Sequence, residues 1–205
     1  MNDRRYHLDY SGLFALASEQ AGYFTATQAR DYGISPRLLT HHTATGRFIR
    51  VSRGVYRFRD YPSSPDEEVM AAWLAVGKGR SVVSHESALD LLDLTDVIPH
   101  SVHLIVPRDR RGLRPPPGVT LHTVTTTLHD DEIITRGGIR LTTPVRTLLD
   151  VAEGGTAPEQ VVRGVREAVR RGMAAPARLA QEARMRGKRT QRLIVTALDE
   201  AMAPV

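Results

Sequence analysis

Between positions 30 and 59 the chain carries seven arginines, at 30, 37, 47, 50, 53, 57 and 59, against a single acid, Asp31. A planar guanidinium neutralises phosphate and also fits the O6/N7 edge of guanine bidentately, so such a run suits a polyanion and double-stranded DNA in particular. Other chemistry is poorly supplied. Cysteine is absent, which excludes disulfides, thiolate metal sites and cysteine nucleophiles. His85-Glu86 lacks the second histidine of HExxH, no G-x-S-x-G elbow occurs, and Pro65-Asp66 has no downstream acid-x-Lys to complete a nuclease metal centre. His103 and His122 face each other if their strands pair, but two histidines without carboxylates read as sheet-surface residues. No catalytic residue, metal ligand or cofactor site is therefore expected.

The arginines lie among strong local signals. Thr25 with Gln28 forms a capping box and opens a helix to about Tyr32, which Gly33 stops. Ser35-Pro36 supplies an N-cap and an N1 proline for a second helix to about Thr45, ended by Gly46. Phe48, Ile49 and Val51 then lead into Ser52-Arg53-Gly54, and Val55, Tyr56 and Phe58 lead out, a basic two-stranded hairpin. Two short helices on a tight turn followed by a hairpin make a winged helix-turn-helix. On the second helix Pro36, Arg37, Thr40, His41 and Ala44 share a stripe, with Arg37 and His41 as base readers, whereas His42 falls toward the core. The expected DNA-binding set is Thr25, Ser35, Pro36, Arg37, Thr40, His41, Arg47, Arg50, Arg53 and Arg57, the wing arginines meeting phosphates or the minor groove. A protein-docking module of the same shape is the competing reading.

The remainder supports a soluble partner of polyanions. Of the formal charge of +5, residues 1–60 hold 9 basic against 5 acidic residues and the rest 19 against 18, so the basic character belongs to the N-terminal module. No apolar run approaches the roughly 18 residues of a membrane span and the start has no signal-peptide pattern, so a cytoplasmic location is expected. Arg59 to Pro65, rich in proline and serine, reads as a linker dividing a 1–60 DNA-binding domain from a 61–205 domain. Ser64 to Glu67 reads as a second capping box, starting a helix with Val69, Trp73 and Val76 inward. Beyond it, Val102 to Val106 and Val119 to Val124 read as strands answering each other across an arginine- and proline-rich loop, and Ile133-Ile134 and Ile139 to Thr142 as a hairpin on Gly137-Gly138. Thr143-Pro144 caps a helix, and Val161, Val162, Val165, Ala168 and Val169 give an amphipathic stripe, with two further helices after it. The fold class is α+β: a winged helix-turn-helix followed by helices beside a small, largely antiparallel sheet.

The stretches GYFTATQARDYGIS, GRFIRVSRGVYRF, SHESALDLLDL, VHLIVPRDRRGLRPPPGVTLH and GIRLTTPVRTLLDVA together resemble the AbiEi-type antitoxin and transcriptional regulator family of type IV toxin–antitoxin systems, from about Leu13 to Ala201. The resemblance implies a repressor that binds operator DNA, autoregulates its operon and counters a nucleotidyltransferase-like toxin without a stable complex. The toxin's own Gly-Ser-x-Asp-x-Asp pattern is missing here. Family members commonly carry an arginine-rich recognition helix, and this one has only Arg37 between Ser35 and Thr45. Arg108, Arg110, Arg111 and Arg114 in the loop, and Arg163, Arg166 and Arg170 on the later helix, are candidate antitoxicity surfaces, with a merely solvated surface as the alternative. With no leucine zipper, a monomer that binds DNA cooperatively is expected. A winged-helix transcription factor without a toxin partner, its C-terminal domain sensing a ligand or oligomerising, is the second functional reading.

Overall fold

The computed structural model describes residues 8–203 except 97 and 127, and its contacts divide the chain into two compact units, Met1–Arg80 with Gly137–Ile139, and the rest. In the first unit, helix α1 (Tyr10–Ser18) is capped by Asp9, whose carboxylate accepts from the Gly12 N–H. Strand β1 (Tyr23–Thr25) follows, then α2 (Ala26–Asp31), α3 (Pro36–Ala44), β2 (Phe48–Ser52) and β3 (Val55–Phe58). Both sequence-assigned caps are present: the Thr25 hydroxyl accepts from the Gln28 N–H while Gln28 Oε1 accepts from the Thr25 N–H, and Ser35 Oγ accepts from the Leu38 N–H. Gly33 and Gly46 turn the chain with φ of +79° and +81°, a region that costs glycine little. The three strands run antiparallel in the order β1-β3-β2, so the wing hairpin gains a third strand that its own sequence does not announce.

Leu13, Ala17, Phe24, Ala29, Ile34, Leu39, Phe48 and Phe58 fill the core under this sheet. Phe24, Phe48 and Phe58 meet one another at centroid distances of 5.0 to 5.3 Å, each pair adding about 0.5–1.5 kcal/mol beyond area burial. Helix α4 (Glu67–Val76) belongs to the same unit, burying Met70, Trp73, Leu74 and Val76, with Val69 only half-buried. The chain therefore passes from one unit to the other at Arg80, about fifteen residues beyond the serine–proline stretch. The capping box expected at Ser64 to Glu67 is half present: Glu67 Oε1 accepts from the Ser64 N–H, but the helix begins at Glu67 behind Asp66, which makes no side-chain cap. The same Glu67 oxygen also accepts from Arg57.

The second unit is a five-stranded sheet in the order β6-β5-β4-β8-β7, with β4 (Val82–Val83), β5 (Val102–Pro107), β6 (Val119–Val124), β7 (Ile133–Arg136) and β8 (Ile139–Thr142). Helices α5 (His85–Leu91), α6 (Pro144–Gly154), α7 (Pro158–Arg170), α8 (Pro176–Ala183) and α9 (Lys188–Met202) accompany it, and α7 packs mainly on α9. The α+β class holds. Pairing within the sheet is mixed: β4–β5 is antiparallel, while β4–β8 and β5–β6 are parallel. The return expected between β5 and β6 is thus a crossover. Residues 108–118 carry the chain back to the start of β5, where the Val102 N–H donates to Gly118 O at 2.7 Å, and their length is what a parallel return requires.

Candidate nucleic-acid interface

Helix α3 turns Leu39 into the core and leaves Pro36, Arg37, Thr40, His41 and Ala44 exposed, the stripe its sequence prescribes. Arg37 makes no ion pair among the described residues, so its five donors face solvent. Thr40 donates its hydroxyl to Pro36 O at 3.0 Å, which leaves the oxygen free to act only as an acceptor. His42 is half-buried, edge-on to Tyr10 and Phe48, and burial first, then Arg47 and His41, hold its ring neutral below the usual histidine range. Arg47 lies over the Tyr10 ring at 4.2 Å, a stacking that fixes the arginine while keeping it exposed. Thr25 and Ser35 sit at the helix starts with their oxygens committed to capping, so neither presents a free hydroxyl.

At the wing, the ladder shifts register between Arg50 and Ser52, and Gly54 takes φ +78° in the turn. That bulge puts Arg50, Val51 and Arg53 on the exposed side. Arg50 and Arg53 make no ion pair among the described residues. Arg57 departs from the wing assignment. Its side chain lies inside the unit, 8% exposed, donating to Tyr61 O at 2.7 Å, Pro62 O at 3.2 Å and Glu67 Oε1 at 2.8 Å. Val55 is buried, and a strand returns to the same face every second residue, so Arg57 had to point inward with it. It ties β3 to the start of α4 and is not a phosphate contact.

The two arginine surfaces of the second unit differ. On α7, Arg163 pairs with Asp96 at 2.7 Å, Arg170 with Glu167 at 2.6 Å and Arg166 with Glu200 at 3.7 Å, so this face is close to charge-balanced. In the crossover loop, Arg108, Arg111 and Arg114 are exposed and Arg110 is half-buried. Only the loop presents a net positive surface.

A histidine cluster, unread from sequence as a unit, occupies the start of α5 and the adjoining strands. His85 stacks on His122 with centroids 3.5 Å apart, and His103 Nδ1 lies 3.0 Å from both His122 Nε2 and Glu86 Oε2. His85 is 8% exposed with φ +51°, and burial, reinforced by His122 and His103, pushes its ring down to about 2. All three rings are thus held neutral, His103 and His122 also by burial. Beside them, Asp150 is buried between Arg146 at 2.8 Å and Arg186 at 3.3 Å, and Arg146 also holds Glu132 at 2.5 Å. Among the described residues no group of three or more His, Cys, Asp or Glu has an arrangement that holds a metal ion. Around the cluster the two arginines, Arg146 and Arg186, meet three carboxylates, Glu132, Asp150 and Glu153, so no excess positive charge is offered to an anion.

Among the described residues no helix is long and apolar enough to cross a membrane. No curated protein matches the chain. Among solved structures, the crystal structure of the RV2827C protein from Mycobacterium tuberculosis resembles it with a TM-score of 0.60 at 15% identity, covering 98% of this chain and 81% of that one, a likeness of fold. The stretch that carries the exposed α3 face and the wing is also where a family is identified: residues 13–59 match the model of the family described as "Transcriptional regulator, AbiEi antitoxin", to which the N-terminal module of this chain is therefore similar.

Proposed function

We propose that this protein is a DNA-binding transcriptional repressor that serves as the antitoxin of a type IV toxin–antitoxin system, autoregulating its operon and countering a nucleotidyltransferase-like toxin without a stable complex. The observation that carries the DNA half is the uncommitted Arg37 on the exposed face of α3 together with the exposed Arg50 and Arg53 of the wing. With α3 in the major groove, Arg37 reads a guanine edge and His41 a neighbouring base, while Ser35, Pro36 and Thr40 pack on the backbone. Arg47, Arg50 and Arg53 neutralise phosphates, and Thr25 holds the start of α2 in place behind them. Operator half-sites related by a two-fold axis then demand two copies.

The antitoxin half rests on the family similarity at residues 13–59, and the C-terminal part, beyond the winged helix, is its proposed seat. Of the two candidate surfaces, the loop with Arg108, Arg110, Arg111 and Arg114 is favoured, because its four arginines stand against the single acid Asp109, whereas each of Arg163, Arg166 and Arg170 faces a carboxylate. Rescue of growth against a nucleotidyltransferase-like toxin encoded beside this gene tests the antitoxin half, and an operator–reporter fusion tests the DNA half. Arg108, Arg111 and Arg114 reversed to Glu are expected to abolish rescue with unfolding unchanged, and Arg50 and Arg53 reversed to abolish repression of an operator–reporter fusion while rescue persists. Full rescue by the reversed loop returns that surface to a solvated role.

A further inference from the structure

Where α1 meets the open end of the wing hairpin, the first unit holds a cleft of about 530 Å³, a size at which small molecules are bound. Its lining has an aromatic part and a cationic part. Phe14 of α1 is 48% exposed, edge-on to Phe58 at 5.2 Å and tilted to Tyr61 at 6.2 Å. Arg47 lies over the Tyr10 ring, and Arg59 donates through Nε to Gly46 O. The two arginines stand opposite one another: the Arg59 N–H donates to Arg47 O at 3.1 Å, one step beyond the Phe48–Phe58 pair of the ladder. Like charges set directly opposite repel, and neither guanidinium makes an ion pair among the described residues. Asp60, the acid among the described lining residues, is exposed and pairs with neither, and Asp9 at the start of α1 spends its carboxylate on the Gly12 N–H.

We propose that this cleft binds a mononucleotide, its base stacked on Phe14 and its phosphate held by Arg47 and Arg59. Stacking on an aromatic side chain serves any base, and guanidiniums grip phosphate through charge-assisted hydrogen bonds. A phosphate monoester, close to dianionic at pH 7, answers two opposed guanidiniums, whereas the carboxylate of a simple aromatic acid carries a single charge. The site adjoins the DNA-reading elements. Gly46 ends α3, and Arg47 is a proposed contact to an operator phosphate. A bound nucleotide takes Arg47 from the operator backbone and so relieves repression. That regulatory step rests on the DNA-binding reading above, whereas nucleotide binding itself does not.

Isothermal titration of the full chain with adenosine 5′-monophosphate, in the absence of DNA, tests the site. Saturable binding at one nucleotide per chain is expected with a Kd below about 1 mM, and adenosine or inorganic phosphate alone should bind at least about tenfold more weakly. Phe14→Ala and Arg59→Gln should each weaken the nucleotide by about tenfold or more, and Phe14→Tyr should retain it, all three with wild-type circular dichroism. On the promoter duplex, the nucleotide should lower the affinity of wild type, while Phe14→Ala should bind the duplex as wild type does and no longer respond. No saturable nucleotide binding, binding that survives Phe14→Ala, or phosphate bound as tightly as the nucleotide overturns the proposal, the last leaving an adventitious ion only. A Phe14→Ala variant that loses duplex affinity as Arg47→Ala does assigns the cleft to the DNA backbone and overturns it as well. A wild type that binds the nucleotide but no duplex upholds the site and removes the DNA reading instead.

Discussion

Acid should loosen the second unit through His85, and the size of the effect follows from its surroundings. In the unfolded chain this imidazole titrates near 6.5, whereas in the fold it is pushed to about 2 by burial against His122, His103 and the nearby arginines. A histidine whose folded value is depressed binds its proton more readily when unfolded, so its contribution is intact above about pH 6.5. It is lost progressively as pH falls, until the folded value is reached. At pH 5 the unfolded ring is almost wholly protonated and the folded ring is not, which costs about 2 kcal/mol relative to pH 8. Any folded value below about 4 gives nearly the same figure at pH 5. His103 and His122 are lowered as well and act in the same direction. The perturbation to compare is His85→Asn, because asparagine tolerates the φ of +51° better than most residues other than glycine and does not titrate. Denaturant unfolding at pH 8 and pH 5 should show wild type losing about 2 kcal/mol more than the variant. Equal losses in the two proteins, or an NMR titration of the His85 ring centred near 6.5, would refute the reasoning.

Other consequences are separable. Arg57→Gln should destabilise the first unit by about 2 kcal/mol in thermal or denaturant unfolding, because it strips charge-assisted bonds from Glu67, Tyr61 and Pro62, and should leave the salt slope of DNA binding unchanged. Phe48→Ala opens a cavity among Phe24, Phe58 and His42 and should cost about 3–5 kcal/mol, measured as a lowered denaturant midpoint at constant slope. Asp150→Asn leaves Arg146 and Arg186 facing a neutral amide and should lower the unfolding temperature of the second unit, with the winged helix folded by its near-ultraviolet signature.

The winged helix was legible because its signals are local. Thr25 with Gln28, Ser35 with Pro36, and glycines at 33 and 46 each satisfy or end a helix within four residues, and the α3 stripe follows from helical periodicity. What escaped depends on partners distant in the chain. Strand β1 is three residues long and is recognisable only by its ladder to β3. Charge alone assigns Arg57 to the wing, whereas alternation with the apolar Val55 two residues earlier turns it inward. A loop of eleven residues with three prolines fits a hairpin or a crossover alike, and only the register shows β5 and β6 to be parallel. The histidine cluster draws on α5, β5 and β6, whose adjacency no spacing reveals. His42, by contrast, went inward as its helical position requires, against Tyr10 and Phe48.

The central claim is that α3 and the wing hold DNA by different means, Arg37 through a base and Arg50 and Arg53 through phosphates. Fluorescence anisotropy with a duplex from the protein's own promoter and a scrambled duplex, across a salt series, measures both at once. Replacing Arg50 and Arg53 by alanine should weaken the two duplexes alike and flatten the dependence of log affinity on log salt by about 2. Arg37→Ala should weaken the promoter duplex alone, by about 1–3 kcal/mol, with the slope reduced by at most one. Unchanged affinity in the double wing variant, or equal losses on both duplexes for Arg37→Ala, would contradict the account.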